Sequence, residues 1–173
     1  MWADTVRQAI RTDTRLVAII HGSNVTGAIQ PISQVVEIAR DAGAISLVDA
    51  AQTVGHLPID VRALGVDLLA APGHKGLLGP LGTGLLYTRP GIEDQLHPFR
   101  QGGTGSASDD DHQPDHLPDK YEPGNLNMPG LAGLAAAAEF ITEREVYSIR
   151  KHHRDLTQLL LARLEELTGI TVY

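Results

Sequence analysis

At 173 residues, 42% hydrophobic and 20% charged, the chain has the make-up of an ordinary globular protein with room for a substantial core. A formal net charge of −7, which no basic block offsets, argues against a nucleic-acid partner. No apolar run approaches the roughly 20 residues that span a bilayer, no apolar leader stretch opens the chain, and cysteine is absent, which removes disulfides and thiolate metal sites; the expectation is a cytoplasmic protein that binds neither membrane nor nucleic acid.

In chain order, residues 4–12 read as a short amphipathic helix with Val6 and Ile10 on one side. The continuous apolar run 16–20 has the pattern of a strand buried on both faces, and it ends in the polar turn 21–27. Pro31 opens a helix through residue 42, with Ile32, Val35, Val36 and Ala39 at helical spacing and Gly43 to close it. A second buried strand is expected at 44–48, a short helix at 61–64, a strand at 67–71 and, after a glycine-rich turn, another at 84–88. That rhythm predicts an α/β fold with a mostly parallel sheet and flanking helices. Residues 100–127 change character: rich in Gly, Pro, Asp and His, they carry no periodicity, and a loop of that length signals function or disorder. A long helix from Pro129 to about residue 147 follows, then a second helical pattern over 148–167, stopped by Gly169. Residues 170–173 read as the start of a further strand.

Two positions stand out for chemistry. Lys75 lies in the glycine-flanked turn Gly73-His74-Lys75-Gly76 just after an apolar strand, and Asp49 closes another strand at the head of Asp49-Ala50-Ala51-Gln52. In an open α/β sheet both places lie outside the carboxyl ends of the strands, where ligands bind. A lysine whose pKa is lowered by its surroundings can form a Schiff base. A carboxylate at the end of a buried strand needs a cationic partner, such as a protonated ring nitrogen, or else caps the turn that follows. These demands match pyridoxal 5'-phosphate (PLP). His74 is placed to donate to a phosphate, or is a histidine satisfied within the core. Gln52 lies one turn from Asp49, within reach of a cofactor oxygen. Asn24, in the turn after the first strand, either forms an Asx turn with Thr26 or Gly27 or bonds to substrate or cofactor. The run Gly102-Gly103-Thr104-Gly105-Ser106 has the composition of an anion-binding nest. No Gly-Lys-Ser/Thr closes a phosphate loop and no G-x-G-x-x-G spacing occurs. The acidic stretch Asp109-Asp110-Asp111-His112, with Asp115 and His116, reads as a solvated loop before it reads as a metal site, and no metal is expected.

Taken in order, Ser23-Asn24-Val25-Thr26-Gly27, Asp49-Ala50-Ala51-Gln52, Gly73-His74-Lys75, Gly102-Gly103-Thr104-Gly105 and Tyr121-Glu122-Pro123-Gly124-Asn125-Leu126-Asn127 resemble the class V aminotransferases of PLP fold type I, in their cysteine desulfurase-like branch. The resemblance implies that Lys75 carries the cofactor as an internal aldimine and moves the proton at the substrate's Cα. It implies that Asp49 pairs with the pyridinium nitrogen, that Gln52 contacts the ring O3', and that His74 helps to hold the phosphate. Thr104 would reach the phosphate of the neighbouring subunit in a homodimer, and Asn24 would lie near the carboxylate of a small amino-acid substrate, L-cysteine being one candidate, in a C–S bond cleavage of the cysteine desulfurase or selenocysteine lyase kind. One departure is Pro72, where the family usually has a hydroxyl residue two before the Gly-His-Lys histidine. The family's phosphate loop and ring-stacking residue would lie upstream of these residues, and its carboxylate-binding arginine and persulfide cysteine downstream. The expected organisation is therefore the second half of a PLP-binding large domain over 1–99, an active-site and interface loop over 100–128, and connecting helices leading into a C-terminal domain over 129–173. A class V aminotransferase is the nearest alternative, and a catalytically incompetent fragment is the alternative of a different class.

Overall fold

The computed structural model describes residues 3–103, 107 and 109–172. Four strands, β1 (Leu16–Ile20), β2 (Ile45–Asp49), β3 (Leu68–Pro72) and β4 (Gly84–Thr88), form one sheet in the order β1-β2-β3-β4. The first two pairings are parallel and the third antiparallel. The reason is connection length: helices α2 (Ile32–Asp41) and α3 (Val61–Leu64) carry the chain back between the parallel strands, whereas the turn 73–83 is too short for a crossover and returns β4 antiparallel. Helix α1 (Ala3–Ala9) precedes the sheet, and α4 (Met128–Arg144) and α5 (Val146–Glu165) follow it.

The core lies between α2 and one sheet face. Ile32, Val35 and Val36 pack with Ile19, Val48, Leu69 and Val66, and burying each of these side chains contributes about 1.5–3 kcal/mol relative to exposure. Alternation along the strands assigns the other face. The aligned row Ile20, Asp49, Ala70 and Leu86 points away from α2. There Leu16, Ile20 and Leu86 are 50%, 45% and 50% exposed, so this face of the sheet is open and apolar around one carboxylate.

Caps define the helix ends. Asp60 accepts hydrogen bonds from Arg62 N at 2.8 Å and Ala63 N at 3.0 Å, and Gly65 ends α3 in the left-handed conformation. Asn127 caps α4 by accepting from Gly130 N at 3.1 Å, with Pro129 in the first turn. The break between α4 and α5 falls at Glu145, whose φ is 62°; the expected helix to residue 147 thus ends earlier, and α5 begins two residues before its expected start. Residues 170–172 form no strand: no described segment pairs with them. Much of the irregular stretch after β4 is anchored. Buried Lys120 donates to Glu93 O at 2.7 Å, and buried Gln113 accepts from Gly102 N. Among the described residues no helix is long and apolar enough to cross a membrane, and no group of three metal-ligating side chains occurs.

Asp67 ties three strands together at the end opposite the glycine turn. Its Oδ2 accepts from Ser46 N and Ser46 Oγ, both at 2.8 Å, and its Oδ1 accepts from Arg89 Nε at 2.7 Å. Burial alone would raise its pKa, but these hydrogen bonds and the guanidinium together hold it below the ordinary value. The stabilisation is therefore present above about pH 4, the unfolded carboxyl's range, and is lost as pH falls through the lower folded value. Asp67→Asn is expected to cost about 2 kcal/mol in urea unfolding at pH 7, and to remove most of that loss of stability on acidification; equal acid sensitivity in the variant would refute this role.

Candidate functional site

The parallel pairing of β2 and β3 sets Asp49 level with Ala70. From there β3 runs on to Pro72 and into the turn that carries His74 and Lys75. That turn is held by its own backbone: Gly73 N donates to Thr83 O at 2.8 Å, Leu78 N to Lys75 O at 2.9 Å and Gly79 N to Gly73 O at 2.7 Å. On the neighbouring strand, Asp49 Oδ1 accepts from Ala51 N at 2.9 Å, and Thr53 N and Val54 N donate to Ala50 O, which winds the segment after β2 into a single turn. The two turns interlock through glycine. A Cβ at Gly76 would stand 2.2 Å from Val54 O and 2.7 Å from His56 Cδ2, and one at Gly55 would stand 1.9 Å from Gly76 O. Only residues without a side chain let these backbones approach so closely, and the approach determines where Lys75 sits.

The segment after β1 reaches the same edge. His21 N donates to Asp49 O at 2.8 Å, and Gln30 N donates to His21 O, closing the loop that holds Asn24. The turn is made by Ser23, whose Oγ accepts from Val25 N and Thr26 N, both at 3.2 Å; Asn24 itself is exposed and forms no Asx turn. Behind the edge, His21 Nδ1 lies 2.9 Å from the Oγ1 of buried Thr53, and burial lowers the pKa of the His21 imidazole. This pair fastens the loop after β1 to the turn after β2. Sequence reasoning passes over it, because the two residues are far apart in the chain and neither belongs to a spaced motif.

The structure thus gathers Asn24, Asp49, Gln52, His74 and Lys75 at the carboxyl ends of three adjacent strands. Thr104 lies outside the described residues, as do Gly105 and Ser106. One expectation is corrected. Asp49 is exposed rather than buried, its side-chain contact is the cap on Ala51 N, and it stands level with Ile20 and Ala70 on the neighbouring strands. His74 is likewise an exposed side chain and not a core histidine. Lys75 is exposed too, and its side-chain amine makes no hydrogen bond or ion pair among the described residues.

Beside Asp49 is a shallow cavity of about 500 Å³ lined by Ala51, Ala70, Ala71, Pro72 and Gly84, with Leu85 and Leu86 of β4 closing one side. Asp49 Oδ2 has no partner among the described residues, so the carboxylate can take a cationic group while its other oxygen keeps the turn. A free amine in the turn after β3 and, on the adjacent strand, a half-engaged carboxylate beside an open hollow supply the chemistry that a heterocyclic aldehyde with a basic ring nitrogen requires.

The model of the Aminotransferase class-V family matches residues 2–173. The chain is 40% identical over 170 residues to a probable cysteine desulfurase of Methanothermobacter thermautotrophicus, covering 97% of this chain and 42% of that protein. Among solved structures, it superimposes on an apo cysteine desulfurase from Thermococcus onnurineus with a TM-score of 0.84 and 36% identity, covering 95% of this chain and 41% of that one. The cysteine desulfurase CsdA of Escherichia coli gives a TM-score of 0.87 at 31% identity, over 96% of this chain and 42% of that one. The chain therefore spans about two-fifths of the length of these relatives. A match along almost the whole chain, with a sheet and turn geometry shared with those enzymes, places it in one family: the chain belongs to the class-V aminotransferases.

Proposed function

We propose that the protein carrying this chain is a PLP-dependent enzyme of the fold type I kind that cleaves the C–S bond of L-cysteine in the cytoplasm. The observation that carries this reading is the delivery of Lys75 and Asp49 to one edge of the sheet by neighbouring parallel strands, in a chain about 40% identical to a relative named as a probable cysteine desulfurase. When bound, PLP supplies an electron sink for charge that develops at the substrate's Cα.

The chain's own residues then divide the work. Lys75 holds the cofactor covalently through its amine and carries the proton to and from Cα. Asp49 binds the ring nitrogen and keeps it protonated, with Oδ2 available for that contact because Ala51 N engages Oδ1. Gln52 donates to the phenolic oxygen. His74 and, in a homodimer, Thr104 serving the partner's site hold the phosphate. Asn24 orients the substrate carboxylate. Pro72 has no hydroxyl to offer the phosphate, so that group depends more on the remaining donors. In this reading residues 1–99 belong to the PLP-binding large domain, 100–128 form the active-site and interface loop, and 129–173 lead into a C-terminal domain.

The discriminating experiment supplies L-cysteine and a thiol reductant to the full-length protein, with and without pyruvate or glyoxylate. Equal amounts of sulfide and alanine without any keto acid are expected. Turnover that requires the keto acid and releases no sulfide would instead establish an aminotransferase.

A further inference from the structure

A second concavity lies between α5 and the segment that follows β2, and none of the residues proposed to hold PLP lines it. Its volume is about 520 Å³, within the 300–1,000 Å³ range of small-molecule sites. The walls are His56 on one side and Arg150, His153, Arg154, Thr157 and Gln158 of α5 on the other.

In a chain of net charge −7, no carboxylate lines this cleft. Arg150 and Arg154 stand one helical turn apart, so they share a face of α5. Neither makes a hydrogen bond or ion pair among the described residues. Elsewhere on the same helix the cations are neutralised: Lys151 Nζ lies 2.6 Å from Asp155 Oδ2, and Arg163 Nη1 lies 3.1 Å from Glu166 Oε2. The guanidiniums that line the cleft are therefore the ones on α5 held in no ion pair, although the charge of Arg154 is felt by Asp155 outside the lining. Across it, the rings of His56 and His153 approach to 5.0 Å between centroids, and His56 Nδ1 is buried without a hydrogen-bond partner. Burial, and then the charge of His153, lower the pKa of His56. Cations and imidazoles crowded together with no carboxylate in the lining repel one another and favour an anion placed among them.

We propose that this cleft binds a small phosphate-bearing molecule. Several oxygens arranged tetrahedrally can accept from two guanidiniums at once, which a single carboxylate cannot do as fully. Gln158 adds a neutral hydrogen-bonding group, whereas the Thr157 hydroxyl already donates to His153 O at 2.8 Å, and the volume exceeds that of phosphate alone, leaving space for an attached organic group.

The test titrates inorganic pyrophosphate into the full-length protein by calorimetry at constant ionic strength. Two double variants are compared with it: Arg150→Ala with Arg154→Ala, and Arg7→Ala with Arg163→Ala, which removes the same charge away from the cleft. Saturable one-to-one binding is expected, weakened about tenfold or more in the first variant and less than about twofold in the second. If the first variant does not fold by circular dichroism, His153→Ala replaces it, and a clear loss of affinity is again expected. Absence of saturable binding, or equal weakening in both double variants, would overturn the proposal. The readout is heat of anion binding and involves no cofactor, so its failure leaves the PLP reading untouched, and the reverse also holds.

Discussion

Lys75→Ala is expected to eliminate the absorbance band that PLP gives when linked to the full-length protein, and to reduce kcat for cysteine turnover by roughly 10²–10⁴-fold or more. Two losses coincide, because the same amine is both the covalent anchor and the proton carrier. Lys75→Arg is expected to be as inactive, since a guanidinium stays charged and offers no nucleophilic nitrogen. Stability should barely change, within about 0.5 kcal/mol. The side chain is exposed, and its turn is held by backbone hydrogen bonds that involve Gly73, Leu78, Gly79 and Thr83. An unaltered absorbance band in the alanine variant would remove Lys75 from the chemistry altogether.

Asp49 permits a cleaner separation of roles, because the structure shows it doing something structural already. Asp49→Asn keeps an oxygen for Ala51 N and removes the negative charge. Its expected effect is a fall in kcat of about 10²–10³-fold, the scale of losing one preorganised electrostatic contact to developing charge, with unfolding free energy nearly unchanged. Asp49→Ala removes the cap as well and should add a stability loss of about 1 kcal/mol in urea unfolding. Near-normal turnover in the asparagine variant would confine Asp49 to capping the turn after β2.

Strands β1 and β4 and helix α3 have the bounds that residue pattern predicts, because each is a short apolar or capped segment punctuated by turn residues. β2 lies one residue later than its pattern suggests, over Ile45–Asp49. The added residue is Asp49, whose backbone pairs with Ile20 and whose carbonyl accepts from His21 N, so a tertiary partner sets the boundary. Residues 170–172 have strand-like composition, yet a strand exists only where another backbone accepts its hydrogen bonds. The candidate motifs after β1, β2 and β3 were readable because each is a run of contiguous residues placed at a strand end. The exposure of Asp49 was not, since burial depends on what packs across from the sheet. The His56–His153 contact was also hidden: no local pattern links a loop residue to a helix nearly a hundred positions away.

Local chemistry, then, decided which segments become strands, which turn, and that one amine and one carboxylate fall at the same sheet edge, because parallel pairing makes strand order and turn position a matter of chain order. Folding decided the rest: which face of the sheet stays open, how two glycines let the turns lock beneath Lys75, and where unpaired arginines meet imidazoles. Those features arise from contacts between segments distant in the chain, and their energies exist only once the segments are packed together.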